Sequence, residues 1–370
     1  MITEAEYWLA FSVFPGIGPM RFGLLRQYFG TAKASWSATV SDLSKTGLGE
    51  KLVLSFDKFR KEFDISGYQK KLKDLHVTAL NLDDPRYPKR LHEISDAPIV
   101  LYVMGQRTSE PINMDRTIAI VGTRKITPYG TEITKTFASE LSFAGMTIVS
   151  GMAYGVDAVA HQAAIDAGGK TIAVLGCGID IIAPSSNARL YQNIINGHGA
   201  IVSEMPLGLR PGKGLFPARN RIISGLSLGV VVTEGADDSG ALITARYALD
   251  QGREVFAVPG PVTSLYSKGP SKLIKNGAKL VESAQDILEE LQFESLTKLL
   301  RPHDVGQYKF ASVLTPDEKK IVEYLIDRRL SIDELVRATN LTIQVVAATL
   351  TGLEIKGIVK DFGEKEYGLV

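Results

Sequence analysis

The central part of the chain alternates short apolar runs with longer segments in which apolar residues recur at helical spacing. The runs have the length of β-strands and comprise Ile118–Val121, Thr147–Ser150, Thr171–Leu175, Ala200–Ser203, Val230–Thr233, Glu254–Val258 and Lys279–Val281. The intervening segments include Tyr129–Phe143, Asp157–Ala167 and Ala241–Gln251. Near-continuous apolar runs are typical of strands buried on both faces, and their alternation with helices implies right-handed crossovers. The pattern therefore predicts an α/β fold built on an open, doubly wound, mostly parallel sheet.

A different pattern precedes this region, in which short helical segments follow turns that contain glycine. The turn Phe14–Pro19 leads into an amphipathic run that ends near Phe29, and the turn Thr46–Glu50 leads into a second run. Two glycines around one apolar residue before a helix are the pattern of a helix-hairpin-helix, whose amides can approach phosphates; such turns also serve as plain connectors. Both interpretations stay open, and DNA contact is supported by basic residues at Arg21, Arg26, Lys33, Lys51, Lys58, Arg60 and Lys61.

The C-terminal part contains three helical segments followed by two short apolar runs around a turn. The helical segments are Pro316–Asp327, Ile332–Ala338 and Ile343–Lys356, and the runs lie in Gly357–Gly363 and Tyr367–Leu369. Three helices and a hairpin predict a winged helix. Because the third helix begins almost without charge, the pattern favours a role in protein contact or in structure, with a degenerate DNA-reading helix as the alternative.

These patterns predict a helical domain at 1–78, a sheet domain at 79–295, a linker at 296–312 and a winged-helix domain at 313–370. The 370 residues carry a formal net charge of only +1, so an anionic partner requires a local basic patch rather than a general positive charge. Cys177 is the single cysteine, and the sequence shows neither a secretory signal nor an apolar run of membrane-spanning length. We therefore expect a cytoplasmic protein without a disulfide and without a membrane partner.

The loops that follow the predicted strands are the places where an open parallel sheet binds its ligands. Gly122–Arg124 follows the first strand, Ser150–Asp157 the second, Gly176–Asp180 the third and Glu234–Ala241 the fifth. The residues here that suit contact with phosphate, by close backbone approach, by charge or by a hydroxyl group, are Gly122, Thr123, Arg124, Ser239, Gly240 and Thr244.

The stretch Gly212–Gly225 lies between the fourth and fifth strands and therefore reaches the same edge of the sheet. It contains cations, an amide and an aromatic ring directly before a helix start, at Lys213, Phe216, Arg219, Asn220 and Arg221. Cations neutralise phosphates, a ring stacks on a base, and a helix N-terminus favours anions. Alone, the stretch is compatible with a solvated basic loop; together with Gly122–Arg124 it predicts a groove for phosphates and bases.

Two classes of enzyme use the same kind of sheet. A dinucleotide-dependent oxidoreductase requires a G-x-G-x-x-G fingerprint, of which Gly176–Gly178 is only a fragment. A nucleotide-processing or phosphoribosyl hydrolase requires a carboxylate beside a phosphate loop. The candidates, each explained equally well as a helix cap or a loop hydrogen-bonder, are Asp157, Asp180, Glu204, Glu234, Asp237 and Asp238. His161 has the spacing of a packed helix residue, and no metal cluster is visible, so we expect no catalytic residue, no metal and no cofactor.

Taken together, the motifs resemble those of the DNA-processing protein A family, also called Smf, over almost the whole chain. They are Tyr87-Pro88 with Pro98 and Leu101, Val121–Arg124, Ser150–His161, Gly176–Asp180 with Pro184, Phe216–Gly225, Glu234 and Ser239–Thr244. The resemblance implies an N-terminal domain like a sterile-alpha-motif fold, an extended Rossmann fold and a winged-helix tail. It also implies a role in binding rather than in catalysis.

The function implied by this resemblance is that of a single-stranded-DNA-binding recombination mediator in natural transformation. Family members form homodimers and help load a RecA-type recombinase onto strands coated by single-strand-binding protein. Carried over by motif, Arg124 contacts phosphate beside Thr123, Lys213 is a second backbone contact, and Phe216 lies against a base. The remaining pocket wall would comprise Arg219, Asn220 and Arg221. The alternative from the residues alone is a nucleotide-processing, phosphoribohydrolase-like enzyme on a related sheet.

Overall fold

The computed structural model describes residues 2–105, 115–212, 214–292, 316–325, 328–355, 359–363 and 366–369. The chain divides into two compact units, Met1–Ile287 and Leu288–Val370. The predicted linker at 296–312 lies outside the described residues. The predicted boundary at residue 78 lies within the first unit, and it stays a prediction.

The described residues open with six short helices: α1 (Glu4–Val13), α2 (Pro19–Phe29), α3 (Ala32–Ser37), α4 (Val40–Ser44), α5 (Glu50–Glu62) and α6 (Ile65–Asp74). They enclose an aromatic core in which the Phe11 ring lies 5.1 Å from Phe56 and 5.2 Å from Trp36, centroid to centroid. Three of the basic side chains noted above form ion pairs: Arg26 pairs with Asp83 at 3.2 Å, and Asp57 accepts from both Arg60 and Lys61 at 2.6 Å. The Asp57 pairs lie within α5, whereas Asp83 follows β1.

The sheet of the first unit has nine strands: β1 (Thr78–Asn81), β2 (Val100–Met104), β3 (Thr117–Val121), β4 (Thr147–Ser150), β5 (Thr171–Leu175), β6 (Gly199–Ser203), β7 (Gly229–Val232), β8 (Glu254–Ala257) and β9 (Lys279–Leu280). Their order is β1-β2-β6-β5-β4-β3-β7-β8-β9. Strands β3 to β9 are mutually parallel, whereas β2 is antiparallel to both β1 and β6. The predicted mostly parallel α/β fold is confirmed.

The strands β1 and β2 were not predicted from the sequence. Val100–Met104 is apolar, but it follows a proline-bearing stretch with only a four-residue helix, α7 (Lys89–His92), instead of a crossover helix. The alternation of strands and crossover helices therefore does not predict Val100–Met104 as a strand of the sheet. Its antiparallel pairing with β6 needs no crossover helix, which explains the different local pattern.

Helices cover the sheet between the parallel strands: α8 (Pro128–Phe143), α9 (Val156–Asp166), α10 (Ala188–Asn193), α11 (Leu215–Leu226), α12 (Gly240–Asp250), α13 (Lys268–Lys275) and α14 (Ala284–Glu290). The chain moves from β3 to β6 in one direction and then returns to β7, on the other side of β3. This reversal places the topological switch point, where ligands bind in open α/β sheets, between β3 and β7.

The N-terminal helices and the sheet share one apolar core. Phe11 belongs to the same buried cluster as Tyr102 of β2 and Ala173 of β5. The Tyr102 hydroxyl lies 2.7 Å from Ser12 Oγ and 3.4 Å from the Tyr68 hydroxyl. The helices are thus packed directly on one end of the sheet.

The second unit contains α15 (Pro316–Leu325), β10 (Leu330–Ser331), α16 (Ile332–Thr339), α17 (Ile343–Ile355), β11 (Val359–Asp361) and β12 (Glu366–Leu369). Its strands form an antiparallel sheet in the order β10-β12-β11. Leu335, Val346 and Leu350 are in its core. The predicted winged helix is confirmed, with a short third strand added. No helix in the described parts of the chain combines the length and apolarity needed to cross a bilayer.

Candidate nucleic-acid interface

The carboxyl ends of β3 and β7 are joined closely at the switch point. A Cβ at Gly122 would lie 2.5 Å from Val156 Cγ2 and 2.7 Å from the Glu234 carbonyl oxygen. The Thr123 N–H donates to that same carbonyl at 2.8 Å. Because a side chain at 122 would separate the two loops, glycine is required there, and Arg124 is held at a defined position beyond β3.

The Glu234 carboxylate also stabilises the loop that follows β3, through Thr127. It is buried, and its two oxygens accept the Thr127 N–H at 3.0 Å and the Thr127 hydroxyl at 2.6 Å. Thr127 in turn caps α8 by accepting the Gly130 N–H at 3.1 Å. Glu234, one of the carboxylates considered for catalysis, therefore positions a loop.

A cleft of about 380 Å³ opens at this edge of the sheet. Eight of the residues predicted from the sequence line it: Gly122, Arg124, Phe216, Arg219, Asn220, Ser239, Gly240 and Thr244. Thr123 lies in the same loop, but its hydroxyl accepts the Lys125 N–H at 3.1 Å. Lys213 lies outside the described residues. The fold thus brings most of the predicted residues to one cleft, from the loop after β3, from α11 and from the N-terminal end of α12.

Part of the cleft lining was not predicted from the sequence. Ala153 and Ile243 contribute apolar surface to the cleft. Ala153 lies in Ser150–Asp157, a loop that the strand pattern already placed at this edge. Ile243 comes three residues after Gly240 on α12, which is the helical spacing that puts both on one face.

Arg124 and Phe216 are adjacent in the cleft although they are distant in sequence. The guanidinium carbon of Arg124 lies 5.1 Å from the centroid of the Phe216 ring, which is a cation–π contact. Arg124 is exposed, and none of the ion pairs among the described residues involves it. Phe216 is half-buried. A cation without a carboxylate partner therefore lies beside an accessible aromatic face.

Arg219 supplies a second positive charge, below the surface of the cleft. Its side chain is buried, and Nη1 donates to the Val174 carbonyl at 3.0 Å. A Cβ at Gly151 would lie 1.4 Å from Nη1, so the guanidinium fills the space that a side chain at 151 would need. Burial lowers the pKa of Arg219, and the negative charge of Asp157 opposes this shift. Burial likewise raises the pKa of Asp157, with Arg219 opposing.

Arg221 is not brought into the cleft. Its Nη1 and Nη2 donate to the two carboxylate oxygens of Glu204 at 3.0 and 2.7 Å, and its Nε donates to Asp96 at 2.8 Å. Side chains two positions apart on a helix point in directions that differ by about 200°, because a helix has about 3.6 residues per turn. Arg221 and Arg219 therefore face different surroundings, and the charge of Arg221 is neutralised within the fold.

The N-terminus of α12 forms the opposite wall. Ser239 caps this helix by accepting the Ala241 N–H at 3.3 Å, and the Asn220 side chain donates to the Gly240 carbonyl at 3.3 Å. The Leu242 N–H donates to the Ser239 carbonyl at 3.0 Å, so the first-turn amides are engaged within the fold, and the helix dipole is what favours anions at this position. In the described residues, no group of three or more His, Cys, Asp or Glu side chains could hold a metal ion.

His161 is fully buried. Its Nδ1 is 2.6 Å from the Thr171 hydroxyl, which donates its own hydrogen to the Ile148 carbonyl at 2.7 Å. The ring must therefore donate from Nδ1 and leave Nε2 unprotonated, and Nε2 has no partner among the described residues. Burial lowers the pKa of His161 to about 3, and the charge of Arg219 adds to this effect.

We predict that His161 makes the folded protein sensitive to acid. Its pKa is lower in the folded state than the unfolded value of about 6.5, so its contribution to stability is present above pH ~6.5 and is lost as the pH falls toward the folded pKa. Acidification from pH 7.5 to 5.0 is expected to cost about 2 kcal/mol through this group. Urea unfolding at both values should show this loss in the wild type and not in His161→Gln; an equal loss in the variant would contradict the assignment.

Residues 78–292 match the family model for DNA recombination-mediator protein A, and residues 311–361 match that for the DprA winged helix domain. The chain is 35% identical over 385 residues to Protein Smf of Synechocystis, which covers 96% of each chain. It is 45% identical over 215 residues to DNA processing protein DprA of Bacillus subtilis, which covers 58% of this chain and 71% of the relative.

Two solved structures share the fold. DNA processing protein A of Streptococcus pneumoniae superposes with a TM-score of 0.68 at 35% identity, covering 79% of this chain and 99% of that one. The Helicobacter pylori protein superposes with a TM-score of 0.52 at 32% identity, covering 59% and 96% respectively. The latter structure is described for its unique single-stranded DNA binding mode.

Proposed function

This chain belongs to the DNA recombination-mediator protein A family, and from that premise we propose that its cleft between β3 and β7 binds single-stranded DNA. The observation that carries the proposal is the pair formed by Arg124 and Phe216, a cation without a carboxylate partner held 5.1 Å from an accessible ring. A phosphate and a base of one strand are the groups that such a pair accommodates together. The binding mode described for the Helicobacter pylori relative supports this choice of ligand.

The remaining cleft residues suit the same ligand. Arg219 adds positive potential, and the N-terminus of α12 contributes its helix dipole and the hydroxyl of Ser239. Phosphate contacts carry no base information, and stacking accepts any base. We therefore expect binding that is largely independent of sequence and that weakens steeply with salt.

A binding role is favoured over hydrolysis by the state of the nearby carboxylates. Glu234 uses both oxygens on Thr127. Asp157 lines the cleft, but it is only 7% exposed, faces the charge of Arg219 and accepts the Ala153 N–H at 3.3 Å. A general base needs an accessible oxygen within hydrogen-bond distance of the attacked group. Turnover of nucleoside monophosphates by the purified protein would instead support the phosphoribohydrolase-like alternative.

The wider role that we propose is that of a cytoplasmic recombination mediator in natural transformation. On this proposal a homodimer binds the incoming strand and helps load a RecA-type recombinase in the presence of single-strand-binding protein. Family membership supports the proposal. A gel-shift comparison of single-stranded with duplex DNA, with and without recombinase, tests it: we expect preference for the single strand and a slower-migrating complex when recombinase is added. Equal binding of duplex DNA would contradict the proposed ligand.

Replacement of Phe216 by alanine should weaken binding of a single strand by about 5- to 150-fold, the range for loss of one base stack. The reason is the loss of the aromatic face, so Phe216→Tyr should retain most of the affinity. Fluorescence anisotropy with a labelled homopolymeric oligonucleotide measures both variants. Unchanged affinity in Phe216→Ala would make the ring a packing residue of the fold.

A further inference from the structure

One aromatic side chain at the carboxyl edge of the sheet has no partner in the fold. Tyr154, in the loop between β4 and α9, is 53% exposed. Among the described residues, neither a ring contact nor a hydrogen bond engages its side chain. A large aromatic side chain left in water contributes little to the stability of the fold, so this ring is free to contact a ligand.

The loop that carries Tyr154 is firmly held. The Asn187 side chain donates to the Met152 carbonyl at 3.0 Å, and Met152 is fully buried. The Ala153 N–H donates to Asp157 at 3.3 Å. The residues directly before Tyr154 are therefore fixed by hydrogen bonds and by burial, and the ring is presented on a preorganised support, which lowers the entropic cost of binding.

Tyr154 also lies at the rim of the cleft. Its predecessor Ala153 lines the cleft, and its successor Gly155 packs on the Arg124 loop. A Cβ at Gly155 would lie 2.3 Å from the Thr123 carbonyl oxygen and 2.9 Å from Arg124 Cα, and Gly155 has φ +74°. The backbone of Tyr154-Gly155 thus touches the loop that carries the exposed cation, and this contact requires glycine.

We propose that Tyr154 is a second base-stacking contact, which carries the strand out of the cleft and across the loop between β4 and α9. The inference rests on the proposed function and extends its site by one residue of the loop between β4 and α9. Arg124 would then contact the backbone between one base stacked on Phe216 and another stacked on Tyr154. Bases of a duplex are stacked on their own neighbours, so an exposed ring also favours single strands over duplexes.

The test compares Tyr154→Ala, Tyr154→Phe and Tyr154→Leu in the full-length chain, by anisotropy with a labelled oligothymidylate. Alanine and leucine are expected to lower affinity about tenfold, whereas phenylalanine retains it, because stacking needs the ring and not the hydroxyl. Affinity falls with salt, and the steepness of log affinity against log salt should be unchanged in Tyr154→Ala. In Arg124→Gln the slope should become shallower by about 0.7, since only the arginine neutralises a phosphate. A matched control is Tyr28→Ala on α2, which removes an equally exposed ring (53%) and should change nothing.

A second measurement does not depend on variants. A strand that contains 5-iodouracil, irradiated on the wild-type protein, is expected to crosslink to Tyr154. Wild-type affinity in Tyr154→Ala, or crosslinks confined to other residues, would overturn this inference and leave the cleft proposal standing. Wild-type protein that binds no single strand at all would overturn both.

Discussion

Replacing Arg124 by glutamate is expected to reduce the affinity for single-stranded DNA by about 100-fold or more at moderate salt. The substitution removes the exposed cation beside Phe216 and places a negative charge where a phosphate would lie. The fold should be unaffected, because the side chain is exposed and takes part in none of the described ion pairs. Anisotropy across a salt titration, together with a thermal melt, measures both properties.

The control for this prediction is the neighbouring residue. Lys125 is also exposed and basic, but it does not line the cleft. Lys125→Glu makes the same change in net charge one residue away and should reduce affinity only a few-fold through the general field. Equal losses in the two variants would show that the loop acts only as a diffuse positive surface.

Replacing Arg221 by methionine is expected to destabilise the folded chain by about 3–5 kcal/mol while leaving the DNA affinity of the folded protein unchanged. Its guanidinium is paired with both oxygens of Glu204 and with Asp96, and Glu204 is largely buried. Removal of the cation leaves a buried carboxylate without its counterion, which is the costly case for a buried ion pair. Urea unfolding measures the loss, and anisotropy at low temperature measures the affinity.

The double variant Arg221→Met with Glu204→Leu isolates this effect. Replacing both partners by apolar residues of similar size removes the unpaired charge, so most of the lost stability should return. A variant Arg221→Met that keeps its stability and loses DNA binding would instead place this arginine among the DNA contacts, as the sequence motif suggested.

Helices and strands that produce a regular local pattern of apolar residues could be predicted from the sequence. Apolar runs such as Thr171–Leu175 and helical spacing such as that of α8 are visible in any window of the chain, so the parallel sheet and the winged helix could be predicted. Loops that follow parallel strands lie at the same edge of the sheet, so Arg124 and Phe216 could both be predicted at that edge. The strands β1 and β2 were not predicted because no crossover helix accompanies them in the sequence.

The amino-acid pattern was therefore sufficient to predict the class of fold, the edge of the sheet at which the cleft lies and eight of the residues that line it. It could not show which of the predicted cations line the cleft, because that depends on long-range contacts. Arg219 and Arg221 are nearly adjacent in sequence, yet helical phase turns them to different surroundings. Arg221 finds its carboxylates 17 and 125 residues away, at Glu204 and Asp96. Because such partners are brought together only by folding, no local pattern could distinguish an arginine paired within the fold from one that lines the cleft.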